Sequence, residues 1–327
     1  MNSLATKLGA DIASRLKLPL IAAPMFRLSG PELVTAVCRA GAIGAFATST
    51  CRSAGELDEW LVAMREDLAG SGAAPVCANL IIKQARLDED LEVLVRRRVE
   101  LVITSVGSPA PVIAPLHAAG AKVFADVGSI AHAEKALAAG ADGLVLLTAG
   151  AGGQTGWANP FAFARAVRRF FDGPMVCAGG ISDGASLWAA RVAGFDLGYM
   201  GTRFLATPES RASEAYKRML TTSNLDDVLT TRAFTGLQTN MLLPSIRAAG
   251  LDPARLDEQV TPAEATQTYG AKGDGAKNEG GGPLRWSEIF SAGHSVSGVD
   301  EVLPAAEIVR RTCEEYGAAR AATAALA

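Results

Sequence analysis

Short apolar runs recur along the first two thirds of the chain, and stretches with helical spacing separate them. Continuous apolar runs, as opposed to alternating ones, are typical of parallel strands that helices cover. The pattern predicts eight strands, at 19–25, 42–47, 75–82, 101–106, 122–127, 143–148, 174–180 and 197–204. It also predicts helices between these strands, at 31–40, 54–69, 88–98, 110–119, 130–139, 160–171 and 183–193.

Eight strands that alternate with helices predict an α/β fold in the form of a closed (β/α)8 barrel, a TIM barrel. A doubly wound open sheet is the structural alternative. Such a sheet usually has fewer strands and carries a dinucleotide-binding fingerprint after its first strand. The first predicted strand of this chain is not followed by that glycine pattern, so the barrel is the preferred interpretation.

The rhythm of strands and helices stops after Phe204. Residues 209–285 carry helical patterns and polar connections, which predicts a small helical domain inserted after the eighth strand. We expect residues 1–208 to form the barrel and residues 286–327 to return to it with a C-terminal helix. The glycine-rich segment 270–282 has few apolar residues and predicts a mobile loop.

Charge and composition exclude several classes of protein. The net charge is −3, and a nucleic-acid partner is not expected without a basic surface. The longest apolar run spans residues 18–26, far short of the roughly 20 residues that a membrane helix needs. Charged residues interrupt the N-terminus, so we predict no signal peptide and expect a cytoplasmic enzyme with a small-molecule substrate. Five scattered cysteines predict neither a disulfide framework nor a metal site, and oligomerisation stays open.

Two glycine-rich motifs follow the last two predicted strands. AGGI, with Gly179 and Gly180, ends the seventh strand, and MGTRF, with Gly201 and Thr202, ends the eighth. Backbone amides at these two places in a barrel commonly bind phosphate, and glycine lets a ligand approach the backbone closely. Either motif alone would be read as an ordinary turn. Together on adjacent strands they predict a phosphate site, to which the helix after Asp183 would add its N-terminus.

Five motifs, in the order in which they occur, resemble those of a known family. They are PMF at 24–26, ANL at 78–80, GAGGQTG at 150–156, CAGGISDG at 177–184 and MGTRFLAT at 200–207. The set resembles the FMN-dependent nitronate monooxygenase (2-nitropropane dioxygenase) family over roughly residues 15–320. That family includes nitronate monooxygenases, NADH:quinone reductases and FMN-dependent enoyl reductases. The fold therefore carries over better than the reaction.

The resemblance implies an FMN at the mouth of the barrel. It assigns the phosphate to the glycines and the threonine of the two motifs: Gly179, Gly180, Gly201 and Thr202. It further implies that Asn79 hydrogen-bonds the flavin, that the backbone at Met25 passes the ring, and that Asp126 borders it. Some members have Lys or Gln at the position of Asp126. NAD(P)H would bind only transiently in the open cleft, as a co-substrate, because the chain lacks a dinucleotide fingerprint.

The sequence departs from the family at Gln154. In nitronate-oxidising members a histidine at this position is the base that removes a proton from the nitroalkane. An amide cannot accept a proton near neutral pH, although it can donate a hydrogen bond to a carbonyl, nitro or quinone oxygen. His294, in a segment where the family often has Gln, is the first candidate for a replacement base, and Asp126 is the second. His294 as an ordinary loop residue is an equally weighted interpretation.

Three functions remain in competition at this point. The first is an FMN-dependent oxidoreductase of the nitronate monooxygenase type, with Gln154 in place of the catalytic histidine. The alternative is an NAD(P)H-dependent flavin reductase that acts on a quinone or on an enoyl or acyl thioester. The third is a barrel that binds a phosphate ligand without catalysis. Weak turnover of neutral nitroalkanes and turnover of preformed nitronates are expected, and reductase activity is the favoured native chemistry.

Overall fold

A computed structural model describes residues 2–270 and 283–326. It contains eleven strands in this range: β1 (Leu20–Ala22), β2 (Ile43–Ala47), β3 (Val76–Ile81), β4 (Leu101–Ser105), β5 (Lys122–Val127), β6 (Gly143–Leu147), β7 (Gly153–Gln154), β8 (Met175–Ala178), β9 (Leu197–Met200), β10 (Val228–Thr231) and β11 (Thr239–Leu242). Strands β1 to β6, β8 and β9 form a closed parallel barrel in that order, and β9 pairs with β1 to close it. The predicted (β/α)8 barrel is confirmed.

Helices surround this barrel. The helices are α1 (Asn2–Leu8), α2 (Ala10–Arg15), α3 (Pro31–Ala40), α4 (Ala54–Leu68), α5 (Leu87–Arg96), α6 (Ala110–Ala118), α7 (Ile130–Ala138), α8 (Pro160–Val167), α9 (Gly184–Ala193), α10 (Thr202–Leu205), α11 (Glu214–Thr222), α12 (Leu243–Ala248), α13 (Pro262–Tyr269) and α14 (Ala305–Ala324). Helix α14 packs between α9 and α3, so the C-terminal helix completes the outer ring. Gly184 makes this packing possible, because a Cβ there would lie 2.1 Å from the backbone nitrogen of Tyr316.

Two hydrophobic layers hold the barrel together. Ile21, Cys77, Phe124 and Val176 are among the buried side chains that fill its interior. A second layer lies between the strands and the outer helices, as expected for strands that are apolar on both faces. All five cysteines lie in the described ranges. They are free thiols, and four of them are buried.

Three predicted strands are at least three residues shorter in the structure. Of these, the seventh strand covers only Met175–Ala178. The first covers only Leu20–Ala22, and the last ends at Met200 because residues 202–205 turn into the short helix α10. The predicted mobile loop at 270–282 lies, except for Gly270, outside the described residues.

The sequence predicts a helical insert after the eighth barrel strand. This prediction is wrong in part, because the segment also contains strands. It contains α11, α12 and α13 together with β10 and β11, which form an antiparallel sheet whose third strand is β7, from the loop between the barrel strands β6 and β8. The two strands have four residues each and mix polar with apolar side chains, so they lack the apolar run that marked the barrel strands. The insert is thereby hydrogen-bonded to the loop that follows β6.

Neither a membrane span nor a metal cluster is found in the described ranges. No helix there is both long enough and apolar enough to cross a bilayer. No group of three or more acidic, histidine or cysteine side chains there is arranged to hold a metal ion.

Candidate active site

Polar and small side chains line the mouth of the barrel, at the carboxyl ends of its strands. Side chains alternate along a strand, so residues two positions beyond the interior core point into the mouth. Asn79, Ser105 and Asp126 occupy such positions on β3, β4 and β5, and Ala23 and Ala178 do so beside β1 and on β8. The alanines put smaller side chains at this level of the barrel than the three polar residues do. We call Asn79, Ser105 and Asp126 the wall group.

Asn79 is buried and held in one orientation. Its Nδ2 donates to the backbone carbonyl of Ile103 at 3.2 Å, and its Oδ1 accepts from Ser105 Oγ at 3.3 Å. A side-chain amide has two N–H donors, so one N–H remains for a molecule in the mouth. Asn79 therefore lies where the sequence placed it, while Ser105, its positioning partner, carried no motif and was missed.

Asp126 has a carboxyl oxygen without a partner. Its Oδ1 is shielded from solvent and accepts no hydrogen bond from the described residues. Burial without compensation disfavours the charged form and raises the pKa of Asp126 to about 7. Its charge also contributes to raising the pKa of Tyr199, after the larger effect of burial. Asp126 can therefore exchange a proton near neutral pH.

The loops after β8 and β9 present backbone rather than side chains. Gly179 and Gly180 have φ angles of 129° and 78°, and a Cβ on Gly179 would lie 2.5 Å from Thr148 Oγ1. Gly180 faces open space. The amides of Gly180, Ile181 and Gly201 donate to no acceptor within residues 2–270 and 283–326. These loops therefore form a cradle with free N–H donors, as expected for a phosphate site.

Thr202 and Met25 border this cradle. Thr202 Oγ1 accepts a hydrogen bond from the Gly293 amide at 3.0 Å, which brings the segment after the insert to the mouth. Met25 lies beside the cradle, because a Cβ on Gly201 would be 3.8 Å from the Met25 sulfur.

At the N-terminus of α9, carboxylates of the chain itself bind two of the amides that were predicted to be free. Asp183 caps the helix by accepting from the Ser186 amide at 2.7 Å. The Gly184 amide donates to the carboxylate of Glu315 at 2.8 Å. Two carboxylates thus satisfy the Gly184 and Ser186 amides, and one of them, Glu315, comes from α14, 131 residues away in sequence.

Gln154 and His294 lie on loops above the mouth, and we call them the loop group. Gln154 forms the exposed end of β7 and pairs with Thr239 of the insert. His294 donates its backbone N–H to the carbonyl of Gly150 at 2.9 Å, and its exposed ring stands against that glycine. The structure therefore brings both predicted residues to the loop after β6. No hydrogen bond among the described residues joins either of them to Asp126.

Three residues that were not predicted as site residues, Ser291, Asn240 and Tyr216, hold this arrangement together. Ser291 Oγ accepts from the Gly153 amide and donates to the Asn240 carbonyl, both at 2.7 Å. Asn240 Nδ2 donates to the carbonyl of Ala151 at 2.7 Å. The Tyr216 hydroxyl holds the Ser291 backbone and its ring stacks on Phe290 at 4.1 Å. Partners so distant in sequence leave no local pattern by which they could be predicted.

Comparison with curated proteins finds several relatives over most of the chain. A nitronate monooxygenase of Paraburkholderia phytofirmans is 28% identical over 336 residues, which cover 89% of this chain and 90% of that protein. A Mycobacterium tuberculosis protein named (3aS,4S,5R,7aS)-5-hydroxy-7a-methyl-1-oxo-octahydro-1H-indene-4-carboxyl-CoA dehydrogenase is 28% identical over 292 residues, which cover 85% of this chain and 80% of that protein.

Solved structures and a family model agree with these relatives. FabK of Thermotoga maritima superposes with a TM-score of 0.83 at 25% identity, over 98% of this chain and 99% of that one. Nitroalkane oxidase of Streptomyces ansochromogenes gives a TM-score of 0.79 at 26% identity, over 96% of this chain and 99% of that one. The model of the nitronate monooxygenase family matches residues 85–315. The chain therefore belongs to the nitronate monooxygenase family, a family of flavin-dependent oxidoreductases.

Proposed function

We propose that the barrel mouth binds one non-covalent FMN and that the protein is an FMN-dependent oxidoreductase of the nitronate monooxygenase type. The observation that carries the proposal is the cradle of free amides at Gly180, Ile181 and Gly201. A phosphate dianion needs several N–H donors and a backbone without obstructing side chains, and the two glycine loops offer both. Gly179 and Thr202 complete the cradle.

The wall group suits the polar edge of a flavin ring. That edge carries carbonyl oxygens and ring nitrogens, for which Asn79 has a free N–H donor. Asp126 offers either a proton donor or an acceptor, because its pKa of about 7 lies near neutral pH. Met25 supplies apolar contact beside the cradle. The bound FMN would supply electron and hydride transfer, and these residues would bind and orient it.

The loop group determines which substrates the protein can oxidise. Gln154 cannot remove a proton from a neutral nitroalkane, whereas a nitronate is already deprotonated and needs no base. We therefore propose preformed nitronates as the oxidisable substrates. Of the two replacement bases, His294 has an exposed ring, and Asp126 has a buried oxygen without a partner.

A second candidate function is the reduction of a quinone or of an enoyl or acyl thioester by NAD(P)H. Two observations favour it: the amide of Gln154 can hydrogen-bond a substrate carbonyl, and one relative is named for a reaction on a carboxyl-CoA thioester. NAD(P)H would then be a transient co-substrate in the open cleft.

Anaerobic mixing experiments test these proposals. The purified protein is loaded with FMN and mixed, without oxygen, with NADH, NADPH or ethylnitronate, and the flavin absorbance near its visible maximum is followed. Rapid bleaching by ethylnitronate supports nitronate oxidation, and rapid bleaching by a nicotinamide supports the reductase. A protein that retains no added FMN would contradict both functions.

A further inference from the structure

A basic cavity lies on the face of the barrel opposite to the mouth, at the amino ends of β8 and β9. It has a volume of about 460 Å³. Its charged lining consists of four basic and two acidic residues: Lys7, Arg165, Arg168, Arg191, Asp172 and Asp196. The lining therefore carries an excess of two positive charges. Active sites of such barrels lie at the other face, so the candidate active site does not account for this excess.

One buried carboxylate gathers three of these four cations. Lys7 Nζ lies 3.0 Å from Asp196 Oδ1. Arg191 Nη1 lies 3.5 Å from the same oxygen, and Arg168 Nη2 donates to Oδ2. The Asp196 side chain is 5% exposed, and its Oδ2 also accepts from the Met175 amide at 3.0 Å. Because three cationic groups contact one carboxylate, they lie close together, and a single negative charge does not offset them.

Arg168 has a structural role in this cavity. Its Nε donates to the carbonyl of Gly194 at 3.0 Å, and its Nη1 donates to the carbonyls of Phe171 and Gly173 at 3.1 Å and 2.6 Å. With its bond to Asp196, it ties the loops before β8 and β9 together. Arg168 therefore has little capacity left for a ligand.

The other three basic residues keep free N–H donors. Among the described residues Lys7 Nζ donates only to the two oxygens of Asp196, so at least one of its three N–H groups is free. Arg191 uses only Nη1, which donates to the carbonyls of Phe195 and Asp196 at 3.1 Å and 2.7 Å, so its Nε and Nη2 are free. Arg165 is exposed, and its guanidinium donates to no acceptor in residues 2–270 and 283–326. The cavity thus combines excess positive charge with available donors.

We propose that Lys7, Arg165 and Arg191 form a binding site for a diphosphate group, separate from the candidate active site. Phosphate oxygens accept several charge-assisted hydrogen bonds at once, and guanidinium and ammonium groups are the side chains that donate them. A diphosphate carries at least two negative charges near neutral pH, which offset the excess charge of the lining. The group comes either from inorganic pyrophosphate or from a nucleotide.

The position of the site separates it from the proposed FMN phosphate site. Asp196 directly precedes β9, and Gly201 of the glycine cradle directly follows it. The whole strand therefore lies between the basic cavity and the cradle. The proposed site adds a second ligand to the protein and does not depend on the reaction at the mouth.

Calorimetric titration of the FMN-loaded protein at low salt tests the site, with pyrophosphate and ADP as the probes. Arg165→Gln removes a cation from the cavity, and Asp172→Asn removes an acid from it. Arg169→Gln is the matched control, because it removes the same charge as Arg165→Gln from an exposed position four residues away that does not line the cavity. All three side chains are exposed and make no hydrogen bond within the described chain, so each variant should fold.

The two cavity variants should change the affinity in opposite directions. We expect both probes to bind about twofold to tenfold more weakly to Arg165→Gln and about twofold more tightly to Asp172→Asn, without change in Arg169→Gln. Added salt should weaken binding to the wild type, because it screens exposed charges. Tighter binding of ADP than of pyrophosphate would identify a nucleotide as the source of the diphosphate, and equal binding would show that the phosphates alone are recognised.

Several results would overturn the site. One is no binding of either probe by the wild type, and another is equal affinity of the wild type and Arg165→Gln. Equal weakening in Arg165→Gln and Arg169→Gln would show an effect of net charge alone and would also overturn it. Unchanged or weaker binding by Asp172→Asn would contradict the cavity as the place of binding.

Discussion

The wall group and the loop group differ in how they are held. Asn79, Ser105 and Asp126 belong to barrel strands whose pairing fixes their positions, and their polar atoms are largely buried. Gln154 and His294 are exposed and depend on hydrogen bonds between the loop after β6, the insert and residues 291–294. A rigid wall suits a bound cofactor, and an adjustable loop layer suits the choice of substrate. Changes in the wall should therefore affect cofactor retention, and changes in the loops should affect the reaction.

The largest effect is expected when the cradle beside the wall is filled. In Gly201→Val we expect the protein to fold but to lose FMN, because φ at Gly201 is −107° and tolerates a side chain, whose methyl groups would occupy the space beside the free amides. Gly317→Val, on the outer face of α14, is the matched control and should keep its FMN. Flavin absorbance after gel filtration measures retention. Full occupancy of Gly201→Val by FMN would contradict the assignment of the cradle as the phosphate site.

The second largest effect is expected from Gln154→His, which should change the rate of oxidation but not the binding of FMN. In Gln154→His a base returns to the loop group, and general-base catalysis typically contributes about 10²- to 10⁴-fold. We expect oxidation of neutral nitroethane to rise within that range, with FMN affinity unchanged. Steady-state oxygen consumption with nitroethane and with ethylnitronate measures the gain. An equal gain on both substrates would show that the histidine does not act by removing a proton.

Asp126→Asn probes the wall through stability. Burial raises the pKa of Asp126 from about 4 when unfolded to about 7 when folded, so the wild type loses stability as the pH rises between these values. The asparagine cannot ionise. The free energy of unfolding of the variant, relative to that of the wild type, should therefore rise by up to about 4 kcal/mol between pH 4 and pH 8. Urea unfolding at both pH values checks this, with the exposed Asp172→Asn as the control. If the difference in free energy of unfolding between Asp126→Asn and the wild type does not change with pH, the raised pKa of Asp126 is contradicted.

The smallest effect is expected from His294→Ala. Wild-type turnover of neutral nitroalkanes should already be weak, so loss of the replacement base lowers a small rate further while nitronate oxidation stays constant. The ratio of initial rates on nitroethane and ethylnitronate is the measurement. Should the ratio stay the same in His294→Ala but fall in Asp126→Asn, the base lies in the wall group.

The comparison also shows which parts of the site can be predicted from sequence. The barrel strands were predictable because each is a continuous apolar run, and the mouth residues follow from where those runs end. Strands β10 and β11 were not predictable. Each has four residues that mix polar and apolar side chains, so neither differs in pattern from the surrounding loops. Contacts such as Glu315 with Gly184, or Asn240 with Ala151, join residues 131 and 89 positions apart and appear only once the chain has folded.

The most direct test of the account is the flavin content of the purified wild-type protein. After loading with FMN and gel filtration, acid treatment should release one FMN per chain, identified by chromatography against FMN and FAD standards. Release of one FMN per chain, with none left covalently attached, is the result predicted from the cradle at Gly180, Ile181 and Gly201. Release of FAD, or of no flavin at all, would contradict it.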